Sequence, residues 1–206
     1  MISSKDNPPK LQASASSWTP PPINVFQLNF DGASKGNPGS TGYGGIIRNH
    51  QGKALISFFG STGWNNNNVA ELEGLWRGLQ VAQKYQYMPL IVEGDSQILI
   101  NIATKLQQGT TVHKVSSSWR LANRLESLKQ WLENHPAITF KHIKREGNKL
   151  ADFMANLGVE KGKDFFEGPL QSIASEVDLS KFQSLLTKDM QEGDEFHPDA
   201  GVQPGN

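Results

Sequence analysis

The pattern of hydrophobic and polar positions along the chain predicts strands first, followed by helices and strands in alternation. Short runs of β-forming residues predict five strands, at 24–31, 42–48, 53–60, 90–93 and 137–143. Apolar residues with helical spacing predict four helices, at 68–84, 96–106, 117–134 and 148–157. This order predicts right-handed crossovers and parallel pairing of the later strands. We therefore predict an α/β fold with a mixed five-stranded sheet, three antiparallel strands and then two parallel ones, flanked by helices.

Composition divides the chain into three segments. Residues 1–22 are rich in Ser and Pro and predict a flexible lead-in. Residues 23–160 carry the predicted strands and helices and are long enough for one domain. Residues 161–206 contain few hydrophobic residues and predict an acidic, mostly disordered tail, with disorder expected over 191–206. A short amphipathic helix at 173–186 is the predicted exception.

Charge is distributed unevenly along a chain whose net charge is zero. Residues 23–160 contain 14 Lys and Arg against 10 Asp and Glu, which gives +4. Residues 161–206 contain 4 Lys and Arg against 9 Asp and Glu, which gives −5. A basic surface around a few acidic groups suits a polyanionic ligand. An ordinary solvated surface beside an acidic tail explains the same counts, so charge alone leaves both interpretations open.

The composition also bears on compartment. The sequence has no run of 18 or more apolar residues, which predicts no membrane-spanning helix, and its N-terminus lacks a secretory signal pattern. The absence of cysteine excludes disulfides and thiolate zinc sites. We therefore expect an intracellular protein, in the nucleus or cytoplasm. The acid-poor, Ser-rich residues 1–22 leave organelle targeting as an alternative.

Four acidic residues lie at positions where a charge is unexpected. Asp31 ends an apolar run, Glu71 borders the apolar stripe of a predicted helix, and Asp95 follows a predicted strand. Asp152 lies within the apolar stretch of the last helix. Buried carboxylates are costly unless they are paired or bind metal, and ligands gather beyond the ends of parallel strands. The acids therefore predict one shared site for a hard cation, with oxygen ligands only.

Each acid also has a purely local explanation. These are a turn at Asp31, a capping box with Asn68 for Glu71, a helix cap for Asp95, and a first-turn position after the cap Asn148 for Asp152. Any one of them is sufficient for its own acid. Together they leave the convergence of four acids at one edge of the sheet unexplained.

Four short motifs contain these acids. They are Asn29–Gly39, Asn67–Leu72, Glu93–Gln97 and Arg145–Asp152. In this order they resemble the acidic motifs of type 1 ribonuclease H, and the resemblance covers about residues 23–160. Trp18–Pro22 and the Arg-Glu-Gly-Asn form of the last motif are similar to the ribonuclease H-like domains of plant retrotransposon reverse transcriptases and their archaea-like relatives.

The resemblance implies a catalytic domain that hydrolyses the RNA strand of RNA–DNA hybrids, leaving 5′-phosphate and 3′-hydroxyl ends. It implies two Mg²⁺ ions, with Mn²⁺ as a substitute, bound by the catalytic residues Asp31, Glu71, Asp95 and Asp152. Asp31 would bridge both ions, Asp152 would serve the ion that carries the attacking water, and the other two acids would hold the second. RNA–DNA hybrid is the expected partner and a membrane is not. We expect a monomer, either free or within a larger reverse transcriptase polyprotein.

The resemblance further implies contacts to the hybrid. RNA is distinguished by its 2′-hydroxyl in a shallow minor groove, which suits uncharged donors and acceptors. The expected substrate-binding residues are Gly32, Ala33, Ser34, Asn37, Asn67, Asn68 and Gln97. A basic catalytic group is expected upstream of the last acid. Arg145 is favoured over the alternative His142, because His142 falls within a predicted strand.

The chain departs from bacterial members in lacking a clear Lys-rich substrate handle. Affinity for hybrid is then expected to depend on fused domains or on scattered basic residues, of which the candidates are Lys105, Lys114, Arg120 and Arg124. Two other functions stay open: another nuclease of the same superfold, and a hybrid-binding module that does not cleave. The amide-rich motifs favour hybrid over DNA, and the presence of all four acids favours cleavage.

Overall fold

The computed structural model describes residues 18–162, 165–173 and 178–194. The strands are β1 (Phe26–Gly36), β2 (Gly39–Arg48), β3 (Ala54–Asn65), β4 (Leu90–Gly94), β5 (Ile138–His142) and β6 (Phe166–Gly168). The helices are α1 (Asn67–Lys84), α2 (Gln97–Gln107), α3 (Val112–Val115), α4 (Trp119–Glu133), α5 (Lys149–Lys161) and α6 (Leu179–Asp194). Within these residues, no helix is both long and apolar enough to cross a membrane.

All six strands form one mixed sheet in the order β5-β4-β1-β2-β3-β6. The first three strands pair antiparallel, whereas β4 pairs parallel with β1 and β5 pairs parallel with β4. The predicted α/β fold with a mixed sheet is therefore confirmed. The predicted count of five strands is wrong by one, because β6 pairs antiparallel with the outer edge of β3. A strand of three residues has too little pattern to be recognised in the sequence.

Helices cover both faces of the sheet. Ile47 and Phe58 face a core formed with α1, α2 and α4, whereas the adjacent Ile46 and Phe59 face a second core formed with α5 and α6. Successive residues of a strand point to opposite faces, so a strand that is covered on both sides is apolar at consecutive positions. α5 crosses β1, β2 and β3 on the second face, and α6 packs against α5.

The largest differences from the predicted boundaries lie in the C-terminal segment. Both β6 and α6 belong to residues 161–206, which the sequence assigned to a mostly disordered tail. The expected helix at 173–186 instead begins at Leu179 and continues to Asp194. Its buried Phe182 packs into the second core, which explains why this part of the tail is folded. The disorder predicted for residues 191–206 is wrong for residues 191–194, which belong to α6, and residues 195–206 lie outside the described residues.

Candidate active site

Asp31 lies in the middle of β1, opposite Gly44 of β2. The sequence expectation that Asp31 ends its strand, and the alternative that it forms a turn, are therefore both wrong. β1 pairs with β4 only as far as Asn29, which is paired with Glu93. Asp31 therefore follows the last residue of β1 that β4 covers, and Asp95 follows the end of β4 itself.

Two glycines allow α1 to approach β1 closely. A Cβ atom at Gly32 would lie 2.3 Å from the Glu71 nitrogen, and one at Gly74 would lie 2.6 Å from the Asp31 carbonyl oxygen. Both distances are too short for any side chain, so a larger residue would push the helix away from the strand. The glycine after Asp31 thus serves packing and brings Glu71 towards Asp31.

Three of the predicted acids form a tight cluster. One carboxylate oxygen from each of Asp31, Glu71 and Asp95 lies within 4.8 Å of the other two. Asp31 Oδ1 accepts a hydrogen bond from Gly32 N at 2.8 Å, and Glu71 Oε1 accepts one from Asn67 Nδ2 at 3.4 Å. Glu71 Oε2 is buried without a hydrogen-bond partner. A buried oxygen without a partner, among other carboxylates, is suited to a cation.

Burial and mutual repulsion raise the pKa values of this cluster. Burial, followed by the charges of Glu71 and Asp95, raises the pKa of Asp31 to about 9. Burial and the charge of Asp95 raise the pKa of Glu71 to about 8. Burial also raises the pKa of Asp95, and the nearby Arg145 opposes that rise. Without a cation Asp31 and Glu71 retain protons near neutral pH, and a divalent cation would displace those protons.

Asp152 reaches the same cavity from the opposite side. A cavity of about 590 Å³ is lined by Asp31, Glu71, Asp95 and Asp152 together with Arg145. Asp152 lies in the first turn of α5, as predicted. Its charge contributes to the raised pKa values of Asp31 and Asp95, but it is not one of the three acids within 4.8 Å. The structure thus brings all four acids to one space, with Asp152 at its margin.

The local explanation for Glu71 is wrong. The residue that caps α1 is Asn66, whose Oδ1 accepts a hydrogen bond from Val69 N at 3.0 Å, and not Asn68. Since α1 begins at Asn67, Glu71 is beyond the third helical position that a capping box requires. The carboxylate of Glu71 is therefore left to the acidic cluster.

Asn148 connects α5 to β1. It precedes α5, but its side chain does not cap the helix and instead donates from Nδ2 to the Phe30 carbonyl oxygen at 3.0 Å. Its own carbonyl oxygen accepts from Asp152 N at 3.0 Å. This buried side chain therefore places the first turn of α5, with Asp152, beside the residue that precedes Asp31.

The two candidate basic residues occupy different positions. Arg145 lines the cavity, and its Nη2 lies 3.5 Å from Asp152 Oδ1. His142 ends β5, and its Nε2 lies 3.1 Å from the carbonyl oxygen of Asp95. His142 is not among the residues that line the cavity. The geometry therefore favours Arg145, whose guanidinium faces the acids, over a histidine that contacts backbone.

Most of the predicted substrate-binding residues share this cavity. Those that line it are Gly32, Ala33, Ser34, Asn37 and Asn67. Asn68 and Gln97 do not. Asn68 lines a neighbouring groove, and Gln97 Nε2 donates to Asn101 Oδ1 at 2.9 Å. The segment from Gly32 to Asn37 and the start of α1 thus converge on the cavity as expected, whereas the side-chain amides of Asn68 and Gln97 lie outside it.

Asn156 is a lining residue that the sequence interpretation missed. It lies four residues after Asp152, and its Nδ2 donates to the Asp152 carbonyl oxygen at 2.8 Å. Residues four apart share a face of a helix, so its position relative to Asp152 was the available signal. Gly36 also lines the cavity without having been singled out.

Comparison with known families decides the classification of the chain. Residues 29–158, which include all four acids, match the family model described as Reverse transcriptase-like. This chain belongs to that ribonuclease H-like family of hydrolases. The type 1 ribonuclease H resemblance read from the four motifs is confirmed.

Two curated relatives differ greatly in length. A protein of Arabidopsis thaliana with a provisional ribonuclease H name is 32% identical over 140 residues, which are 68% of this chain and 21% of that protein. The ribonuclease H of Bordetella avium is 28% identical over 153 residues, which are 68% of this chain and 93% of that enzyme. The chain therefore corresponds to almost a whole ribonuclease H in one relative and to a minor part of the other.

A solved ribonuclease H1 has the same fold. LC11-RNase H1, isolated from compost by a metagenomic approach, is 29% identical with a TM-score of 0.58, covering 68% of this chain and 98% of that chain. Its complex with RNA/DNA hybrid is matched at 28% identity with a TM-score of 0.57, covering 66% of this chain and 97% of that chain. α6 lies outside residues 29–158, which match the family model.

Proposed function

We propose that this protein is an endonuclease that hydrolyses the RNA strand of RNA–DNA hybrids. The observation that carries the proposal is the convergence of Asp31, Glu71 and Asp95 within 4.8 Å on an open cavity. The solved relative LC11-RNase H1 binds an RNA/DNA hybrid, which supports the same class of substrate for this chain. The proposed products carry 5′-phosphate and 3′-hydroxyl ends.

The acidic cluster fits divalent cations of the Mg²⁺ type. It offers only oxygen ligands, it includes the unpartnered Glu71 Oε2, and its pKa values are raised by burial and by the repulsion between neighbouring acids. We assign Asp31 to both of two ions, Asp152 to one of them, and Glu71 with Asp95 to the other. Mg²⁺ is the proposed ion and Mn²⁺ its substitute. When bound, such a pair supplies Lewis-acid catalysis of phosphodiester hydrolysis.

Arg145 is the proposed basic group of the site. Its side chain is largely exposed, and its only ion pair among the described contacts is the 3.5 Å approach to Asp152. A guanidinium that is held this loosely can exchange a carboxylate for a phosphate oxygen of the substrate. Its role is therefore to neutralise charge on the scissile phosphate and to orient it towards the acids.

The amides near the cavity provide contacts that can distinguish RNA from DNA. Asn37 Oδ1 accepts a hydrogen bond from Asn67 N at 3.3 Å, which holds the β1–β2 turn against the start of α1. A 2′-hydroxyl both donates and accepts hydrogen bonds, as does a side-chain amide. We propose that Asn37 and Asn67 contact the RNA strand, together with Ser34 and the backbone of Gly32 and Ala33.

The two remaining substrate candidates are assigned to more distant nucleotides. Asn68 and Gln97 lie outside the cavity but adjoin it along the starts of α1 and α2. We propose that they contact the hybrid beyond the scissile phosphate. The nuclease unit is proposed to act as a monomer inside the cell, in the nucleus or cytoplasm, either free or as part of a longer polypeptide such as a reverse transcriptase.

The proposal is tested under single-turnover conditions with labelled oligonucleotide substrates of about 20 nucleotides: an RNA–DNA hybrid, double-stranded DNA and single-stranded RNA. Each substrate is incubated with Mg²⁺, Mn²⁺ or EDTA. We expect endonucleolytic cleavage of the RNA strand in the hybrid, none in EDTA, and none of double-stranded DNA or single-stranded RNA. Phosphatase and ligase treatment of the fragments identifies the end groups. Cleavage of the duplex DNA, or binding of hybrid without cleavage in either metal, would overturn the proposal.

A further inference from the structure

Arg48, the last residue of β2, is a fully buried cation that does not line the acidic cavity. Its Nη1 lies 2.7 Å from Asp189 Oδ2 of α6, and its Nη2 donates to Asn29 Oδ1 of β1 at 2.7 Å. The Trp18 ring covers the guanidinium, with 3.5 Å between Cζ and the ring centroid. Trp18 and Asp189 are themselves buried. Two segments that are distant in sequence are thus fixed to one arginine.

These contacts continue across the sheet into β4. Asn29 Nδ2 donates to Glu93 Oε2 at 3.1 Å, and both side chains are buried. We refer to Trp18, Asn29, Arg48, Glu93 and Asp189 as the Arg48 network. It extends from α6 through β2 and β1 to β4, so it joins the two strands that lead into the site.

The alternation of side chains along β1 and β4 relates the Arg48 network to the acidic site. Asn29 precedes Asp31 by two residues, so their side chains lie on the same face of β1. Glu93 likewise precedes Asp95 by two residues. Asn29 and Glu93 form the last pair of the parallel β1–β4 ladder before the acids. Their hydrogen bond therefore constrains the separation of β1 and β4 at the point where their pairing ends, next to Asp31 and Asp95.

We propose that Arg48 and Asp189 are positioning residues for the acidic site: α6 holds Arg48, and Arg48, through Asn29 and Glu93, sets the spacing of Asp31 and Asp95. Trp18 and Asp189 both lie outside residues 29–158, which match the family model. The nuclease unit therefore includes these flanking segments. The inference rests on the proposed function for its catalytic consequence, and Arg48 itself touches no substrate.

The physical basis is that a buried ion pair contributes more to fixed geometry than to net stability. Replacing such a pair by apolar residues of similar size is often neutral or stabilising, because the desolvation of both charges is avoided. Catalytic geometry is less tolerant, since a displacement of about 1 Å caused by a remote mutation can reduce a rate by about 10²-fold. A positioning role and a stabilising role are therefore separable by experiment.

The test compares three variants of the full 206-residue chain. Asp189→Asn keeps the shape of the side chain but removes its charge. The double variant Arg48→Met/Asp189→Leu replaces the ion pair by apolar side chains and removes the hydrogen bond to Asn29. Ile173→Ala is the matched control, because it removes packing from the core beneath α6 and leaves the Arg48 network intact.

We expect the double variant to keep a melting temperature near that of the wild type, while its kcat on hybrid at 25 °C falls about tenfold or more. KM for the hybrid is expected to change less than twofold, and Asp189→Asn to lower kcat similarly. Ile173→Ala should have a lower melting temperature than the wild type and an unchanged kcat. A double variant with wild-type kcat, or a kcat loss equal to that of Ile173→Ala, overturns the positioning role.

A substrate-free measurement separates this inference from the proposed function. The EDTA-stripped protein is titrated with Mn²⁺ in a calorimeter. Because no substrate is present, the measured affinity depends on the spacing of the acids and not on hybrid binding. We expect the double variant to bind Mn²⁺ several-fold more weakly than the wild type and than Ile173→Ala. If wild-type protein cleaves no hybrid, the proposed function fails, while weaker Mn²⁺ binding still supports positioning; equal Mn²⁺ affinities contradict it.

Discussion

Asp31 and Asn29 lie two residues apart on the same face of β1, yet they belong to buried polar clusters of opposite character. Asn29 belongs to the Arg48 network, where the charges of Asp189 and Glu93 surround a buried cation. Asp31 belongs to a cluster of three acids with the exposed Arg145 at its edge. One cluster contains a buried cation among its acids, and the other contains three acids for which we propose a cation from outside the chain.

This difference indicates which buried charges serve the fold and which serve the reaction. Buried charges are normally satisfied by partners because leaving them alone is costly. The Arg48 network follows that rule by joining charges of opposite sign through four directed contacts, although Arg48 Nε and Trp18 Nε1 are buried without a hydrogen-bond partner and burial raises the pKa of Glu93. The acidic cluster instead brings together charges of one sign, which repel each other and raise their own pKa values. Opposite charges paired within the chain hold segments in place, whereas like charges gathered beside a cavity suit a cation from outside the chain.

The largest expected effect is loss of cleavage when the acidic cluster is disrupted. Asp31→Asn removes a ligand shared by both proposed ions, and the transition-state stabilisation at such a site is several kcal/mol. We expect kcat on hybrid to fall at least about 10³-fold, with an unchanged circular dichroism spectrum. Glu160→Gln, which removes an exposed acid from the far end of α5, is the matched control and should retain full activity.

The next effect concerns the stability of the compensated cluster. Arg48→Met alone leaves Asp189 buried without the cation it pairs with, which costs about 3–5 kcal/mol. We expect urea unfolding to show this loss in EDTA as well as in Mg²⁺. Lys129→Met removes the cation of an exposed pair with Glu133 and should change the unfolding curve little. A fully stable Arg48→Met protein would contradict the distinction between the two clusters.

A third prediction concerns the pH dependence of the metal-free protein. The pKa values of Asp31 and Glu71 are raised to about 9 and about 8, so between about pH 4 and pH 9 the native state binds more protons than the unfolded state. Stability in EDTA should therefore fall as the pH rises through this window. Asp31→Asn should melt roughly 5 °C above the wild type at pH 8 and close to it at pH 4.

Saturating Mg²⁺ provides the control for this pH effect. The cation binds the deprotonated acids, so it should remove most of the slope of wild-type stability against pH. It should have little effect on the stability of Asp31→Asn. A metal-free wild type whose melting temperature is constant from pH 5 to pH 9 would show that the acids do not carry uncompensated charge.

The smallest predicted effect separates the two basic candidates. Arg145→Ala should lower kcat about tenfold, because it removes the guanidinium that faces the cavity. His142→Ala should lower kcat less than threefold, since its ring contacts the carbonyl oxygen of Asp95 and lies outside the cavity lining. The reverse order of effects, measured under single-turnover conditions, would assign the basic role to His142.

Much of the fold was predictable because its signals are local. The first five strands and the long helices follow from alternation and helical spacing, which depend on neighbouring residues only. β6 and α6 were missed or misplaced because their structure depends on remote partners. β6 pairs with β3, and α6 is held by Phe182 in the second core and by Asp189 on Arg48. Neither partner is visible from the sequence around the element.

The candidate site was predicted in its membership but not in its arrangement. The four acids were conspicuous because a charge in an apolar run is rare. The position of Asp31 within a strand depends on the register of β1. The cap at Asn66 and the positions of Asn68 and Gln97 outside the cavity depend on where α1 and α2 begin. Shifts of one or two residues decide such questions, and sequence patterns do not resolve them.

The sequence by itself determined the order of the elements, the class of the fold and the identity of the acids, because each of these is expressed in local periodicity or in a short motif. Only the tertiary structure decided which buried charges are compensated. Arg48 and Asp189 are 141 positions apart, and neither residue is unusual in its own segment. Their pairing depends on α6 folding back over the sheet, and burial arises from contacts between distant segments rather than from neighbours along the chain.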